Sequence, residues 1–153
     1  MIKIREATKK DVNTLYNLIL GIAKYHNQEK SVITNSKEML SSGFGDNPKF
    51  GALLAEINNE VVGYLSYTWN YSIWSGCGYM NLDDLYVTSE YRGQKVGLHL
   101  MRHAQDLCID KEINLIRWEV QKNNRKAIKF YDRLGAKMTE KGIFRWKLET
   151  TDY

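Results

Sequence analysis

The residues best suited to chemistry lie between Leu85 and Met101. A β-patterned segment ending at Leu85-Tyr86-Val87 runs through Thr88-Ser89-Glu90-Tyr91-Arg92-Gly93-Gln94-Lys95-Val96-Gly97 into a helical pattern. The first N–H groups of a helix have no intrahelical partner and sit at the positive end of its dipole. With two cations beside them and glycines that let a ligand approach without a Cβ in the way, such a loop can cradle a pyrophosphate. It lacks the Gly-Lys-Ser/Thr of a triphosphate-binding loop and the spacing of a dinucleotide fingerprint. A tight strand-to-helix connection with surface cations would look the same.

Just upstream stand two adjacent carboxylates, Asp83 and Asp84. On an ordinary strand neighbouring side chains face opposite sides, so joint use of the pair requires a bulge; otherwise it is a solvated strand end. Downstream, Asn124 to Leu134 forms an amphipathic pattern stopped by Gly135. Tyr131 shares one face of it with Ala127, Ile128 and Leu134, as a packing aromatic would. His99 and His103 are four apart, but Leu100-Met101-Arg102 between them lacks a metalloprotease glutamate and no third ligand is evident, so they read as a solvent face. Cys77 and Cys108 belong to no metal-ligand or redox spacing and read as reduced bystanders.

These groups need elements to hold them. Ile2 and Ile4 mark a short first strand, and Thr8 with Asp11 three residues on marks a helix start. Val12, Leu15, Tyr16, Ile19, Ile22 and Ala23 carry that helix to about Tyr25 at helical spacing. A shorter helix is expected from Ser36 through Leu40, capped at Asn35 or Ser36 and ended by Gly43 or Gly45. Ala52–Ile57 and Val61–Tyr71 form a hairpin across Asn58-Asn59-Glu60. Strands over Tyr79–Val87, Asn114–Val120 and Phe144–Leu148 alternate with helices from about Gly97 and from Asn124 to Leu134. The order βααβββαβαβ, with room for a further strand at Ala136–Thr139, implies a mixed α/β sheet with helices on both faces.

The chain has 153 residues, 43% hydrophobic, with one proline and no repeat, low-complexity stretch or linker. That suits one domain, 1–153. Charged residues make up 26%, no apolar run reaches membrane-spanning length, and the N-terminus lacks a signal peptide's apolar core, so a cytoplasmic protein with no membrane role is expected. The net charge of +4 is scattered among acids rather than gathered in a stripe, which argues against nucleic acid as a partner.

Taken together, Arg92-x-x-x-x-Gly97 after a strand and Asn124-x-x-Ala127-x-x-Phe130-Tyr131-x-x-Leu134-Gly135-Ala136 resemble the acetyl-CoA-binding and thiolate-facing motifs of the GNAT superfamily. The resemblance extends over nearly the whole chain. Ile22-Ala23-Lys24-Tyr25, Ser42-Gly43-Phe44-Gly45-Asp46-Asn47-Pro48, Trp74-Ser75-Gly76 and Leu82-Asp83-Asp84-Leu85-Tyr86-Val87-x-x-x-Tyr91-Arg92-Gly93 are similar to the spermidine/spermine (diamine) acetyltransferase branch.

The resemblance implies a GNAT fold with acetyl-CoA as co-substrate, no metal, a small-molecule amine as acceptor and a homodimer whose neighbouring subunits help form the acceptor site. It implies that Leu85, Tyr86 and Val87 offer strand backbone groups to the pantetheine arm, while Arg92, Gly93, Gln94, Lys95, Val96, Gly97 and Leu98 hold the pyrophosphate. Asn124, Lys126 and Ala127 would contact the far side of the pantetheine, and Tyr131 would place its hydroxyl near the thioester sulfur. Asp83 stands where the branch carries a glutamate that helps deprotonate the amine; Asp84 would pair with the cationic amine, and Tyr25, His26 and Trp74 would line the acceptor pocket. Three positions depart from the pattern. Lys95 replaces the first motif glycine, so its backbone must accept that glycine's conformation or the loop is rearranged. His26 replaces an acid, and Asp83 is one methylene short of glutamate, which leans slightly away from long polycations such as spermidine and spermine; polyamine- or diamine-like and lysine-like amines (for example thialysine) are the two acceptor classes implied. A peptide or protein N-acetyltransferase and a non-catalytic CoA-binding regulator are the alternatives.

Overall fold

The computed structural model describes residues 1–149. The chain divides into two compact units, Met1–Glu119 and Val120–Tyr153.

The first unit is built on a five-stranded sheet in the order β1-β2-β3-β4-β5. Strands β1 (Lys3–Glu6), β2 (Gly51–Ile57), β3 (Glu60–Ser72) and β4 (Cys77–Val87) are antiparallel neighbours, and β5 (Ile116–Arg117) joins β4 in parallel. The β2–β3 turn works as its residues require: Asn58 and Asn59 both sit at positive φ, 52° and 65°, which asparagine tolerates better than most side chains.

Pairing register assigns the faces. Ala52, Leu54 and Tyr64 share one face, and over it lie α1 (Val12–Tyr25), through Val12, Leu15 and Leu18, and α2 (Ser36–Phe44), through Met39. Leu53, Leu65 and Met80 point to the other face, against which α3 (Val96–Asp110) packs with Val96, Leu100, Met101, Ala104 and Cys108. Leu15, Leu54 and Leu65 are fully buried, each stabilising the fold by about 1.5–3 kcal/mol. The expected mixed α/β sheet with helices on both faces is what forms.

At the entry to α1, the Arg5 guanidinium grips both carboxylate oxygens of Asp11 at 2.8 and 2.9 Å and Glu56 at 2.7 Å. Bonding to Arg5 is the main reason the Asp11 carboxyl is held down at about 2. The Thr8 N–H also donates to Asp11 at 2.8 Å, the reciprocal contact that the Thr8–Asp11 spacing implies.

Several boundaries differ from the sequence expectation. Asn35 caps α2 as foreseen, accepting from the Glu38 N–H at 2.9 Å, but the helix continues past Leu40 to Phe44. Gly43 does not stop it, because its role is packing: a Cβ there would meet the Phe50 ring at 2.3 Å. In α3 His99 is exposed but His103 is half-buried, so the solvent face expected of the pair holds for His99 alone. Cys77 is exposed and Cys108 buried, neither in a disulfide.

The second unit contains α4 (Arg125–Arg133), which Asn124 caps by accepting from the Ala127 N–H at 3.3 Å. No residue of α4 is fully buried. The expected strands at Phe144–Leu148 and Ala136–Thr139 are absent among the described residues, and Asn114–Val120 shrinks to Ile116–Arg117. Phe144, Trp146 and Leu148 alternate as strand residues should, yet are 104%, 87% and 71% exposed. Alternation marks a segment that can pair. It does not supply the partner edge.

Candidate active site

Three features of the first unit converge on the C-terminal half of β4. The first is a bulge. Ser66 pairs with Asp84 and Tyr67 with Leu82, so Asp83 is an extra residue with no opposite on β3. Asp84 thereby stays on the face of Ser66 and Tyr64, which donate to its Oδ2 at 3.2 and 3.1 Å. Asn81, paired with Thr68 on that same face, donates its amide to Asp83 Oδ1 at 3.0 Å. The bulge has therefore brought both carboxylates to one side of the sheet, as their joint use requires.

Their surroundings differ. Asp84 is fixed by two hydroxyls. Asp83 is exposed as a residue, yet its carboxyl is raised above the ordinary aspartate value, first by desolvation and next by the Asp84 charge, with the Asn81 bond opposing. Burial, and then the nearby Asp84, hold the Tyr64 phenol far above its usual range, so it remains a neutral donor to Asp84. Tyr64, Ser66 and Asn81 are the residues that sequence analysis did not single out. A serine inside the apolar run from Val61 to Tyr71, two residues from Tyr64, was the available signal.

The second feature is the edge of β4. Its parallel partner β5 pairs only with Met80 and Asn81, so from Leu82 through Leu85, Tyr86 and Val87 that edge has no strand alongside among the described residues. An extended, amide-bearing ligand can lie along such an edge as a strand would.

The third is the loop into α3. Gly93 and Lys95 both adopt left-handed conformations, φ 76° and 66°. Lys95 thus accepts the backbone of the glycine it replaces, at a cost of about 1–2 kcal/mol for a residue with a Cβ. It is the N-cap of α3 and its side chain makes no cap bond, so it does not occupy the first N–H groups of α3. A Cβ at Gly93 would meet nothing within 4 Å. Gln94 and Lys95 are exposed, Val96 is buried as the anchor of the first turn, and Gly97 and Leu98 are half-buried. This geometry suits a pyrophosphate.

Residues 12–136 match the family described as "Acetyltransferase (GNAT) family". The chain belongs to this family. A thialysine N-epsilon-acetyltransferase of Sus scrofa is 34% identical, the alignment covering 88% of this chain and 83% of that protein. Spermidine/spermine N(1)-acetyltransferase-like protein 1 of Homo sapiens is 30% identical over 88% of this chain, which spans only 20% of that longer protein. An aminoglycoside acetyltransferase, meta-AAC0020, from an uncultured soil metagenomic sample and in complex with trehalose, superposes with a TM-score of 0.82 at 19% identity, covering 97% of each chain. That likeness shows the GNAT fold.

Of the other residues expected in the GNAT site, Tyr25 ends α1 half-exposed, with the His26 ring edge-on at 5.1 Å. Arg92 is exposed and lies over the Tyr25 ring, its guanidinium carbon 4.4 Å from the centroid. Trp74 is not brought to the carboxylates within this chain. It is fully exposed at the β3–β4 turn, and the strand from Cys77 to Asp83 alone spans roughly 20 Å at 3.3–3.4 Å per residue. Asn124 is occupied as the cap of α4, Lys126 is exposed and Ala127 half-buried. Tyr131 is half-buried beside Phe130, and burial raises its phenol above the ordinary value. Among the described residues no group of three or more His, Cys, Asp or Glu is placed to hold a metal, and no helix is long and apolar enough to cross a membrane.

The left-handed Lys95 gives a direct test of the loop. Lys95→Val places a β-branched side chain where φ is positive and should destabilise the protein by about 1–2 kcal/mol, whereas Lys95→Gly relieves the strain and should leave the midpoint nearly unchanged. Thermal denaturation of the two variants checks it; equal midpoints would show that the loop relaxes to another conformation.

Proposed function

We propose that this GNAT protein transfers an acetyl group from acetyl-CoA to the primary amine of a small molecule, lysine-like or diamine-like. The observation that carries this reading is the bulge at Asp83, which gathers two carboxylates of unequal environment on one face beside an unpaired strand edge and a phosphate-suited helix start.

The chemistry follows from the acceptor. An alkylamine has a pKa near 10 and is protonated at neutral pH, so it needs both a counter-charge and a base. Asp84, held by Tyr64 and Ser66, pairs with the ammonium. Asp83 takes the proton, directly or through a water, and its raised pKa makes it a better base than an ordinary aspartate. The strand edge at Leu85, Tyr86 and Val87 aligns the pantetheine arm, and the Leu85 N–H stabilises charge developing on the carbonyl oxygen. Arg92 to Leu98 hold the pyrophosphate, and the resemblance to GNAT motifs assigns Asn124, Lys126 and Ala127 to the pantetheine. Acetyl-CoA supplies the activated thioester: the amine nitrogen forms the new C–N bond as the C–S bond breaks. Tyr131, kept protonated by burial, gives its proton to the departing thiolate. No metal is required.

His26 in place of an acid favours lysine-like over long polycationic acceptors. The family match spans residues 12–136 and so crosses both compact units, which supports one catalytic domain, proposed to extend over 1–153. We further propose that it works in the cytoplasm without nucleic-acid or membrane partners.

We also propose a homodimer. Tyr71, Ile73 and Trp74 are 67%, 87% and 100% exposed at the tip of the β3–β4 hairpin, an apolar surface that a second copy would cover, placing Trp74 at the partner's acceptor pocket. Sedimentation at the 17.8 kDa monomer mass throughout the micromolar range would remove that role for Trp74.

Free thiol release on mixing the protein with acetyl-CoA and polyamines, lysine, thialysine and aminoglycosides tests the function. Release with a lysine-like or diamine acceptor is expected. Release only with peptides would favour a peptide or protein acetyltransferase, and tight CoA binding without release a regulator.

A further inference from the structure

The type and position of Arg92 suggest a phosphate contact, but within the chain it meets two aromatic rings and a carbonyl. The guanidinium carbon sits 4.4 Å from the centroid of the Tyr25 ring and 5.7 Å from that of Tyr86, both within the range where a cation is held by an aromatic face. Its Nε donates to the Val87 carbonyl at 2.9 Å. Together these contacts tie the end of β4 to the end of α1.

The two rings belong to different parts of the site. Tyr25 is the last residue of α1, and Tyr86 stands on β4 two residues after Asp84. One turn before Tyr25, α1 is seated on the same ring: a Cβ at Gly21 would lie 3.1 Å from the Tyr86 hydroxyl. Tyr86 in turn meets Tyr64 edge-on at 6.3 Å, and Tyr64 donates to Asp84. A contiguous set of contacts thus runs from Tyr25 through Arg92, Tyr86 and Tyr64 to the carboxylate assigned to the amine.

Resting on the acetyl-transfer reading, we propose that Arg92 is a positioning residue for the amine acceptor: stacked on Tyr25 and bonded to Val87, it fixes the acceptor wall at the end of α1 against the strand that carries Asp83 and Asp84. Only a planar guanidinium does this, because it presents a face to the ring and an edge donor to the carbonyl at once; a lysine ammonium is a point charge. The engaged donor is Nε, so the Nη edge remains suited to an anion, and the two roles are compatible.

The test separates them. Arg92→Lys keeps the charge and loses the stack, Tyr25→Leu removes the ring, and Tyr25→Phe keeps it. Tyr25→Leu should raise the amine KM about three- to tenfold, with acetyl-CoA Kd within about twofold, and Tyr25→Phe, which keeps the ring under Arg92, should raise it less than Tyr25→Leu does. Arg92→Lys should raise the amine KM similarly, and the double variant Arg92→Lys/Tyr25→Leu should be no worse than the poorer single one. Hydrogen exchange should quicken at residues 22–26 in Arg92→Lys. An Arg92→Lys protein altered only in acetyl-CoA Kd, a Tyr25→Phe protein as impaired as Tyr25→Leu, or additive single effects would overturn the proposal. If wild type acetylates no amine, the acetyl-transfer reading fails on its own; the clamp is then decided by the exchange rates, and unchanged rates at residues 22–26 overturn it.

Discussion

Asp83→Asn should lower kcat/KM by roughly a hundred- to a thousandfold while making the folded protein more stable at neutral pH. The substitution keeps the shape and the bond from Asn81 within reach and deletes the charge proposed to take the proton. The gain in stability follows from linkage. The Asp83 carboxyl is raised in the folded state by desolvation and by Asp84 beside it, so between the unfolded and the raised folded value the native state binds more protons than the unfolded one. Stability then falls as pH rises through that window and stays lower above it, and removing the carboxylate lifts that loss. Its exposure keeps the effect modest. Wild-type activity should fall as pH drops through the raised value, because only the ionised form accepts a proton. Comparing kcat/KM with the thermal midpoint at pH 7 checks both parts. An Asp83→Asn protein that is slow but no more stable would mean that Asp83 is not held in the desolvated position described.

The same pair of carboxylates shows what was legible in the sequence. Asp83 and Asp84 could be picked out as a pair, and the bulge could be named as the condition for using both, but nothing in the local residue pattern says where a ladder will slip. The slip is set by how Ser66 and Tyr67 meet Leu82 and Asp84 across two strands, a non-local packing outcome. Signals confined to a few residues were clearer: Asn58-Asn59 dictated the turn, Asn35 the cap of α2, and the loop before α3 its left-handed backbone. Lys95 shows the limit of even that, since its side chain argues against the conformation its neighbours impose. Arg92 shows another. Its type suggested phosphate, while its place between Tyr25 and Tyr86 depends on a helix and a strand far apart in sequence. The strand expected at Phe144–Leu148 failed for the same reason: period-two alternation is local, and an edge to pair with is not.

Tyr131→Phe should reduce kcat by about ten- to a thousandfold and leave the amine KM nearly unchanged. Tyr131 follows Phe130 on α4, whose start is fixed by the Asn124 cap, and its ring lies half-buried against Phe130 at a centroid distance of 5.4 Å. Phenylalanine preserves that ring and removes only the oxygen, so α4 should form as before. Burial keeps the phenol protonated well above neutral pH, the state needed to donate to a thiolate leaving group, and a thiolate is a strong enough base to draw that proton as the C–S bond breaks. An interaction made only as the sulfur gains charge contributes to the transition state and not to amine binding, so its loss appears in kcat and kcat/KM together. Steady-state kinetics at saturating acetyl-CoA measure the split. A Tyr131→Phe protein with wild-type kcat would show that solvent protonates the sulfur and that Tyr131 is retained for packing; one with a raised amine KM and unchanged kcat would place the hydroxyl on the acceptor instead.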